Sequence, residues 1–192
     1  MARPRFRGVL LCEDQEHERF FRPLLYRRWF ATGRLRVERI RNAEGAGDRF
    51  VLSRYAGEVE LARRNKRENY AVVVVVDGDR AKREERLQQL DGQLASQGMA
   101  RRAGDENVLV CAPTRSVETW ELWLCGERDL DEDQDYKSRF RDAERKGTAS
   151  AKAAVDAWFE SLSPWDEEIE RETLPALSEG RLEIRRLDGR GS

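Results

Sequence analysis

Short apolar segments alternate with longer segments of helical periodicity along the first two-thirds of the chain. The pattern predicts strands at 8–12, 34–41, 71–76 and 108–111. It predicts helices at 15–30, capped by Asp14, at 50–67, at 81–97 and from 117 onward, capped by Ser116. This alternation is typical of an α/β fold with a largely parallel sheet sandwiched by helices.

The third strand is the most apolar and ends in a pair of acids. Five consecutive valines at 72–76 leave it no polar face, so we expect it to be buried on both sides. Asp77 and Asp79 follow, separated by Gly78. Ligands of open α/β sheets bind outside the carboxyl ends of the strands, and neighbouring carboxylates repel each other unless a proton or cation lies between them. Oxygen ligands favour Mg²⁺ or Mn²⁺, so the pattern indicates metal-assisted phosphate chemistry.

Other polar residues are predicted to converge on the same edge of the sheet. Glu13 ends the first strand, and Glu118 lies in the first helical turn after the fourth. His17, the single histidine, follows Glu13 by one helical turn on the apolar face of its helix. We therefore expect His17 to point toward the sheet near Asp77 and Asp79.

The strand–helix alternation ends after Gly126. Residues 127–135 are acidic and predict a loop, whereas 136–187 predict a mainly helical tail with breaks at Gly147, Pro164 and Gly180. The chain thus divides into an α/β core at 1–126 and a helical C-terminal extension at 127–192, packed on the core.

Charge is unevenly distributed, although the net charge is only -1. Residues 1–70 carry 17 Lys/Arg against 10 Asp/Glu, and the remainder carries 19 against 27. An arginine-rich half beside an acidic half suits a polyanion held near a metal site, but a solvated surface explains the imbalance equally well.

Cysteine usage and hydropathy predict a cytoplasmic protein without a membrane segment. Cys12, Cys111 and Cys125 are odd in number, lack CxxC spacing and lie among apolar residues, as small core residues of a reducing compartment do. No apolar run approaches the roughly 20 residues that span a bilayer. The first residues lead directly into a strand, which argues against a signal peptide.

Two motifs resemble the Toprim fold, the metal-binding domain of topoisomerases, primases and overcoming-lysogenization-defect (OLD) nucleases. They are Leu10-Leu11-Cys12-Glu13 and Val75-Val76-Asp77-Gly78-Asp79. Small bacterial Toprim-like proteins associated with phage-defence loci are closer still, because they tend to carry a segment like Ser116-Val117-Glu118-Thr119-Trp120. The resemblance covers roughly residues 7–125 and implies a Toprim-like, Rossmann-like fold.

The resemblance also implies cleavage of phosphodiester bonds. Asp77 and Asp79 would hold one Mg²⁺ or Mn²⁺ ion, with Glu13 sharing it or acting as general base. Glu118 and His17 would complete a second metal position. The rim cations that would meet phosphate are Arg80, Arg115, Lys137 and Lys152. This chain departs from the family in having Asp14, where a glycine is usual, and His17, where OLD nucleases often have an acid.

Three functional classes remain open at this stage. The leading one is a metal-dependent nuclease acting on DNA or RNA, which the resemblance places in bacterial anti-phage defence. It implies a partner such as a defence-system ATPase, and a homodimer would pair two sites on a duplex. The second is a non-catalytic Toprim-like subunit that binds nucleic acid or a partner protein. The third, a phosphatase of the haloacid dehalogenase type, ranks last because its aspartate pair usually follows the first strand.

Overall fold

The computed structural model describes residues 6–40, 47–78, 83–161 and 174–188. Within these ranges the strands are β1 (Phe6–Cys12), β2 (Phe30–Glu38), β3 (Tyr70–Val75) and β4 (Val108–Cys111). They form one sheet of order β2-β1-β3-β4, in which every neighbouring pair is parallel. The fold is therefore α/β with a parallel sheet, consistent with a Rossmann-like fold, as the sequence predicts.

Helices follow the strands and also make up most of the described tail. They are α1 (Gln15–Arg28), α2 (Gly47–Arg64), α3 (Arg83–Ser96), α4 (Val117–Leu124), α5 (Lys137–Lys146), α6 (Ala151–Ser161) and α7 (Pro175–Arg185). A single 3₁₀ turn, Lys66–Glu68, precedes β3. No helix in the described ranges is both long enough and apolar enough to cross a membrane.

The side chains of β3 separate two cores because successive residues of a strand point to opposite faces. Ala71, Val73 and Val75 pack with α1, α4, α6 and α7 on one face, whereas Val72 and Val74 pack with α2 and α3 on the other. All five are fully buried. Burial of each valine side chain contributes about 1.5–3 kcal/mol. The burial of both faces, with β1 and β4 on either side, confirms that the valine strand is buried in the middle of the fold.

The first helix is shorter than predicted. The pattern extended it to Phe30, but α1 ends at Arg28 and Phe30 already belongs to β2. The backbone N–H of Phe6 donates to Trp29 O at 2.8 Å, and the rings of Phe6 and Phe30 pack at a centroid distance of 6.1 Å. The ladder between β1 and β2 is then irregular, so the alternation of the sequence reveals the strand only from residue 34 onward and misses its first residues.

The predicted break at Gly180 is wrong, because this residue lies inside α7. A Cβ atom at this position would come within 2.5 Å of the Trp120 ring. The glycine therefore lets α7 approach α4 closely and does not end the helix. Gly147 does end α5, in the left-handed conformation, and Pro164 lies outside the described residues.

The C-terminal helices pack on the α1 face of the sheet and along one of its edges. α5 and α6 contact α4, α6 also contacts α1, and α7 lies beside β4. On α7, Glu183 accepts a hydrogen bond from the Val110 backbone N–H at 3.1 Å and pairs with Arg102 at 2.8 Å. This carboxylate satisfies a donor on the outer edge of β4, which would otherwise be exposed.

Candidate functional site

The candidate site lies where the strand order changes direction. β1 and β3 are neighbours, and the chain proceeds from β1 outward to β2 and from β3 outward to β4. In open α/β sheets such a switch point forms a crevice at the carboxyl ends of the two central strands. Glu13 directly follows β1, and Asp77 follows β3 after one residue. Asp77 is buried, with 2% of its surface exposed.

The backbone at Asp77 is fixed from two sides. Gly78 lies against the 113–114 segment so closely that a Cβ atom would come within 2.0 Å of Thr114 O. Arg86 of α3 donates through Nε to the Asp77 carbonyl at 3.2 Å and through Nη1 to Asp48 Oδ2 of α2 at 2.9 Å. Gly78 is therefore required by close approach, and Arg86 links the end of β3 to two helices.

His17 makes the shortest side-chain contact with Asp77. Its Nε2 lies 2.8 Å from Asp77 Oδ1, and both side chains are buried. Asp14 caps α1 by accepting a hydrogen bond from the His17 backbone N–H at 3.0 Å, which confirms the predicted N-cap. The first turn of α1 is thus oriented by Asp14 through the backbone and by Asp77 through the imidazole.

The surrounding carboxylates favour a charged His17. Burial by itself lowers its pKa, but the negative charges of Asp77, Asp14 and Glu13 and the hydrogen bond to Asp77 outweigh burial and raise the pKa to about 10. The Glu13 backbone N–H points toward Nδ1 over 3.4 Å, a contact that only a neutral ring accepts. Because 3.4 Å is long for a hydrogen bond and three carboxylates surround the ring, we assign the imidazolium.

Lys137 supplies a second cation to Asp77. It is the first residue of α5, and its Nζ lies 3.7 Å from Asp77 Oδ2. Its side chain is 33% exposed, so it connects the buried carboxylate with solvent. Asp135 accepts the Lys137 backbone N–H at 2.9 Å and thereby fixes the start of α5. The Asp77 carboxylate therefore lies between two positively charged groups of its own chain.

Glu118 is a second buried carboxylate near Asp77. It lies in the first turn of α4 and is 3% exposed. Burial raises its pKa, and the charge of Asp77 adds to this, while its own backbone N–H and Lys137 partly oppose the rise. Ser116 occupies the N-cap position, as predicted, but makes no capping hydrogen bond through its side chain. Glu118 is thus held close to negative charge without full compensation.

Glu121 was not predicted as a site residue. It follows Glu118 by three residues, is fully buried, and its two carboxylate oxygens have no hydrogen-bond partner in the part of the chain that the structure describes. Burial, then the charges of Glu118 and Glu16, raise its pKa well above the ordinary value, and Arg19 only partly opposes them. The Glu-x-x-Glu spacing was visible in the sequence, but its burial depends on how the helices dock.

The other predicted residues occupy different environments. Glu13 is half-buried and contributes negative charge to the surroundings of His17. Arg115 is half-buried and lies just before α4. Lys152 is exposed on α6, where it pairs with Asp156 at 2.8 Å and does not join the Asp77 cluster. The predictions for Asp79 and Arg80 fall outside the described residues.

The carboxylates around Asp77 suit a hard divalent cation in their chemistry. In the described ranges no group of three or more His, Cys, Asp or Glu side chains is arranged to hold a metal ion. The oxygen donors of Asp77 and Glu118 nevertheless match Mg²⁺ or Mn²⁺, and the raised pKa of Glu118 reflects a buried acid short of positive charge. Lys137 lies beyond hydrogen-bonding distance of Asp77 and is partly exposed, so a cation could displace it.

Comparisons of the chain with protein-family models, with curated proteins and with solved structures find no match. The functional interpretation therefore rests on the geometry around Asp77.

Proposed function

We propose that the protein is a metal-dependent nuclease that hydrolyses phosphodiester bonds of DNA or RNA. The observation that carries the proposal is Asp77, a buried carboxylate at the switch point of a parallel sheet with the half-exposed Lys137 beside it. The buried carboxylate can bind a divalent cation, and the accessible ammonium group beside it can donate a hydrogen bond to a phosphate oxygen.

The metal would be Mg²⁺ or Mn²⁺, held by Asp77 and Glu118 with Glu13 and Asp79 as further ligands. Such an ion polarises a phosphoryl oxygen and lowers the pKa of bound water. His17 keeps the Asp77 carboxylate in one orientation through the 2.8 Å contact. Glu13, which is half-buried, would act as the general base that accepts a proton from water.

Cations of this chain would meet the phosphate. Lys137 is poised to donate to a phosphate oxygen, because its ion pair with Asp77 is long and partly exposed. Arg115, at the start of α4, is the rim arginine that the described residues supply. The resemblance to Toprim-like proteins extends the proposal to anti-phage defence, with a partner ATPase and a homodimer as accompanying proposals.

The two cations beside Asp77 favour a second candidate, a non-catalytic subunit that binds nucleic acid or a partner protein. His17 and Lys137 already supply two positive charges to one carboxylate. Such a network can hold α1 and α5 against the end of the sheet without a metal, and its role would then be structural.

Nuclease assays on supercoiled plasmid, linear duplex and single-stranded RNA separate the two candidates. Each substrate is incubated with Mg²⁺, Mn²⁺ or EDTA. We expect metal-dependent cleavage that Asp77→Asn reduces at least about 100-fold, while Asp156→Asn, an exposed acid on α6, retains full activity.

Asp77→Asn could lose activity because it unfolds, so Lys137→Gln is a second test. The Lys137 side chain is partly exposed, and its replacement leaves the His17–Asp77 contact intact. Loss of cleavage in a folded Lys137→Gln variant supports the nuclease. A wild-type protein that binds nucleic acid but cuts none of the substrates with either metal supports the non-catalytic subunit.

A further inference from the structure

A cavity of about 500 Å³ opens beside β4. It lies between α2, α3, the 101–104 segment and α7, and its lining includes none of the residues assigned to the nuclease site. Leu87, Leu90 and Val110 form its apolar wall. The volume is within the range of about 300–1,000 Å³ that is usual for small-molecule pockets.

Two buried hydrogen-bond donors in the lining lack partners among the described residues. Tyr55 is fully buried, yet its hydroxyl has no hydrogen-bond partner among the described residues. Tyr55 belongs to the lining of the cavity, and the charges that act on its hydroxyl are those of Arg102 and Asp91, which line it, and of Arg63 and Glu106, which do not. Burial raises the pKa of Tyr55 to about 12, which keeps the hydroxyl protonated and able to donate.

The second unpartnered donor is Arg186 Nε. The two Nη atoms of this side chain are engaged by Glu183 and by backbone carbonyls that include Ala103 O, which fixes the guanidinium in place. Nε has no such partner in the described ranges. Unpartnered buried donors are rare in folded proteins, and a bound group that accepts hydrogen bonds is one of the few explanations.

Charge in the cavity favours an anion. Three arginines line it, Arg101, Arg102 and Arg186, against two acids, Asp91 and Glu183, an excess of one positive charge. The Arg101 side chain is 82% exposed, and its Nε lies 3.4 Å from Asp91 Oδ2. Such an exposed ion pair stabilises little, so the Arg101 side chain is free to turn toward a ligand.

We infer that this cavity binds a small organic anion, whose apolar body lies against Leu87 and Leu90. Its phosphate or carboxylate oxygens accept hydrogen bonds from Tyr55 Oη and Arg186 Nε, and Arg101 neutralises its charge from the rim. The site is independent of the proposed nuclease activity, since it uses other residues.

Calorimetric titration of the full chain with adenosine monophosphate and with benzoate tests the site. These probes carry a phosphate and a carboxylate, respectively, and adenosine lacks the anionic group. We expect saturable binding of at least one anion and at least tenfold weaker binding of adenosine. Preference for one of the two anions identifies the acidic group that the cavity accepts.

Tyr55→Phe and Arg101→Gln localise the binding. Tyr55→Phe is expected to weaken binding of the preferred anion about tenfold, the effect of losing one charge-assisted hydrogen bond. Arg101→Gln is expected to weaken it about threefold, because solvent screens a charge at the exposed rim. Arg64→Gln, an exposed arginine on α2 that pairs with Glu60, should bind like wild type. Tyr55→Phe removes a hydroxyl without a described protein partner, so its melting temperature should not fall.

The inference is overturned if neither anion binds at millimolar concentration, or if Tyr55→Phe binds as tightly as wild type. Nuclease activity is measured on the same preparations. Its presence or absence leaves the interpretation of these titrations unchanged.

Discussion

His17 Nε2 lies 2.8 Å from Asp77 Oδ1, and this contact joins the first turn of α1 to the end of β3 in the interior of the protein. The two residues are 60 positions apart in the chain. The His17 side chain is 0% exposed and the Asp77 side chain 2%, so water cannot replace either partner. His17 therefore depends on Asp77 for its charge, and each side chain fixes the orientation of the other.

Removal of one member of this pair should therefore be costly. Asp77→Asn leaves a buried imidazole without its charged partner, and we expect a loss of about 3–5 kcal/mol in the free energy of unfolding. Urea unfolding followed by circular dichroism measures it. The exposed pair of Arg27 and Asp156, 2.5 Å apart, is the control, and Asp156→Asn should leave the free energy of unfolding nearly unchanged. Equal losses in both variants would contradict a buried ion pair.

The charge of His17 should persist to high pH in the metal-free protein. Its folded pKa of about 10 exceeds the ordinary value of 6.5, so the stabilisation is fully present below pH 6.5 and is lost as pH rises through 10. His17 is the only histidine, so nitrogen-15 NMR of the imidazole reports on it directly. Titration near pH 6.5 would contradict the assignment. In Asp77→Asn the pKa should fall, because burial then dominates.

Replacement of Glu121 should stabilise the protein. Glu121→Met keeps a similar volume and removes a buried carboxyl without a described partner, so we expect a gain of about 1–3 kcal/mol at neutral pH. The folded pKa of Glu121 is raised, so its contribution to stability is fully present below pH 4.5 and is lost as pH rises through the folded pKa. The gain should therefore be larger at pH 8 than at pH 4, as thermal unfolding can measure.

Glu160→Met is the control for this prediction, since Glu160 is exposed on α6. Its stability should differ little from wild type at either pH. A Glu121→Met variant that unfolds more easily than wild type at pH 8 would mean that the carboxylate is ionised and bound to a cation.

Two glycine substitutions should have opposite effects. Gly78→Ala places a Cβ atom 2.0 Å from Thr114 O, so the backbone must shift and the Asp77 carboxylate moves with it. We expect clear destabilisation and loss of any activity that depends on Asp77. Gly57→Ala, in α2 with no atom near the added Cβ, should stabilise by about 0.5–1 kcal/mol. Thermal unfolding of both variants checks the pair, and a stable, active Gly78→Ala protein would contradict the close approach.

The parts of the fold that depend only on residues close together in the sequence could be predicted. The valine run of β3 has no polar face, and Asp14 caps α1 through the backbone N–H of His17, three residues further on, so both features are local. The end of α1 could not be placed because Phe30 joins β2 through contacts with Phe6. The sequence predicts a break at Gly180 for a similar reason, since the ring that requires a glycine there belongs to Trp120, 60 residues away.

The candidate site divides in the same way. The position of Asp77 at a strand end follows from the alternation of elements, and so does the direction of His17. The approach of Lys137 depends on where α5 docks, which lies 60 residues further along the chain and has no local signal. In the sequence, the spacing of Glu118 and Glu121 is what a solvent-exposed helix face would show. The structure buries every residue of this helix, and that burial depends on how the helix docks.

Glu183 has a consequence for how copies of the chain can associate. Because its carboxylate takes the hydrogen bond that an added strand would need at Val110, β4 cannot accept another strand in register. Among the described residues β2 is the opposite edge of the sheet, and its outer side pairs with no strand. Any assembly that continues the sheet from one subunit to the next must therefore grow from β2, in one direction only, and can close as a pair but not extend as a filament.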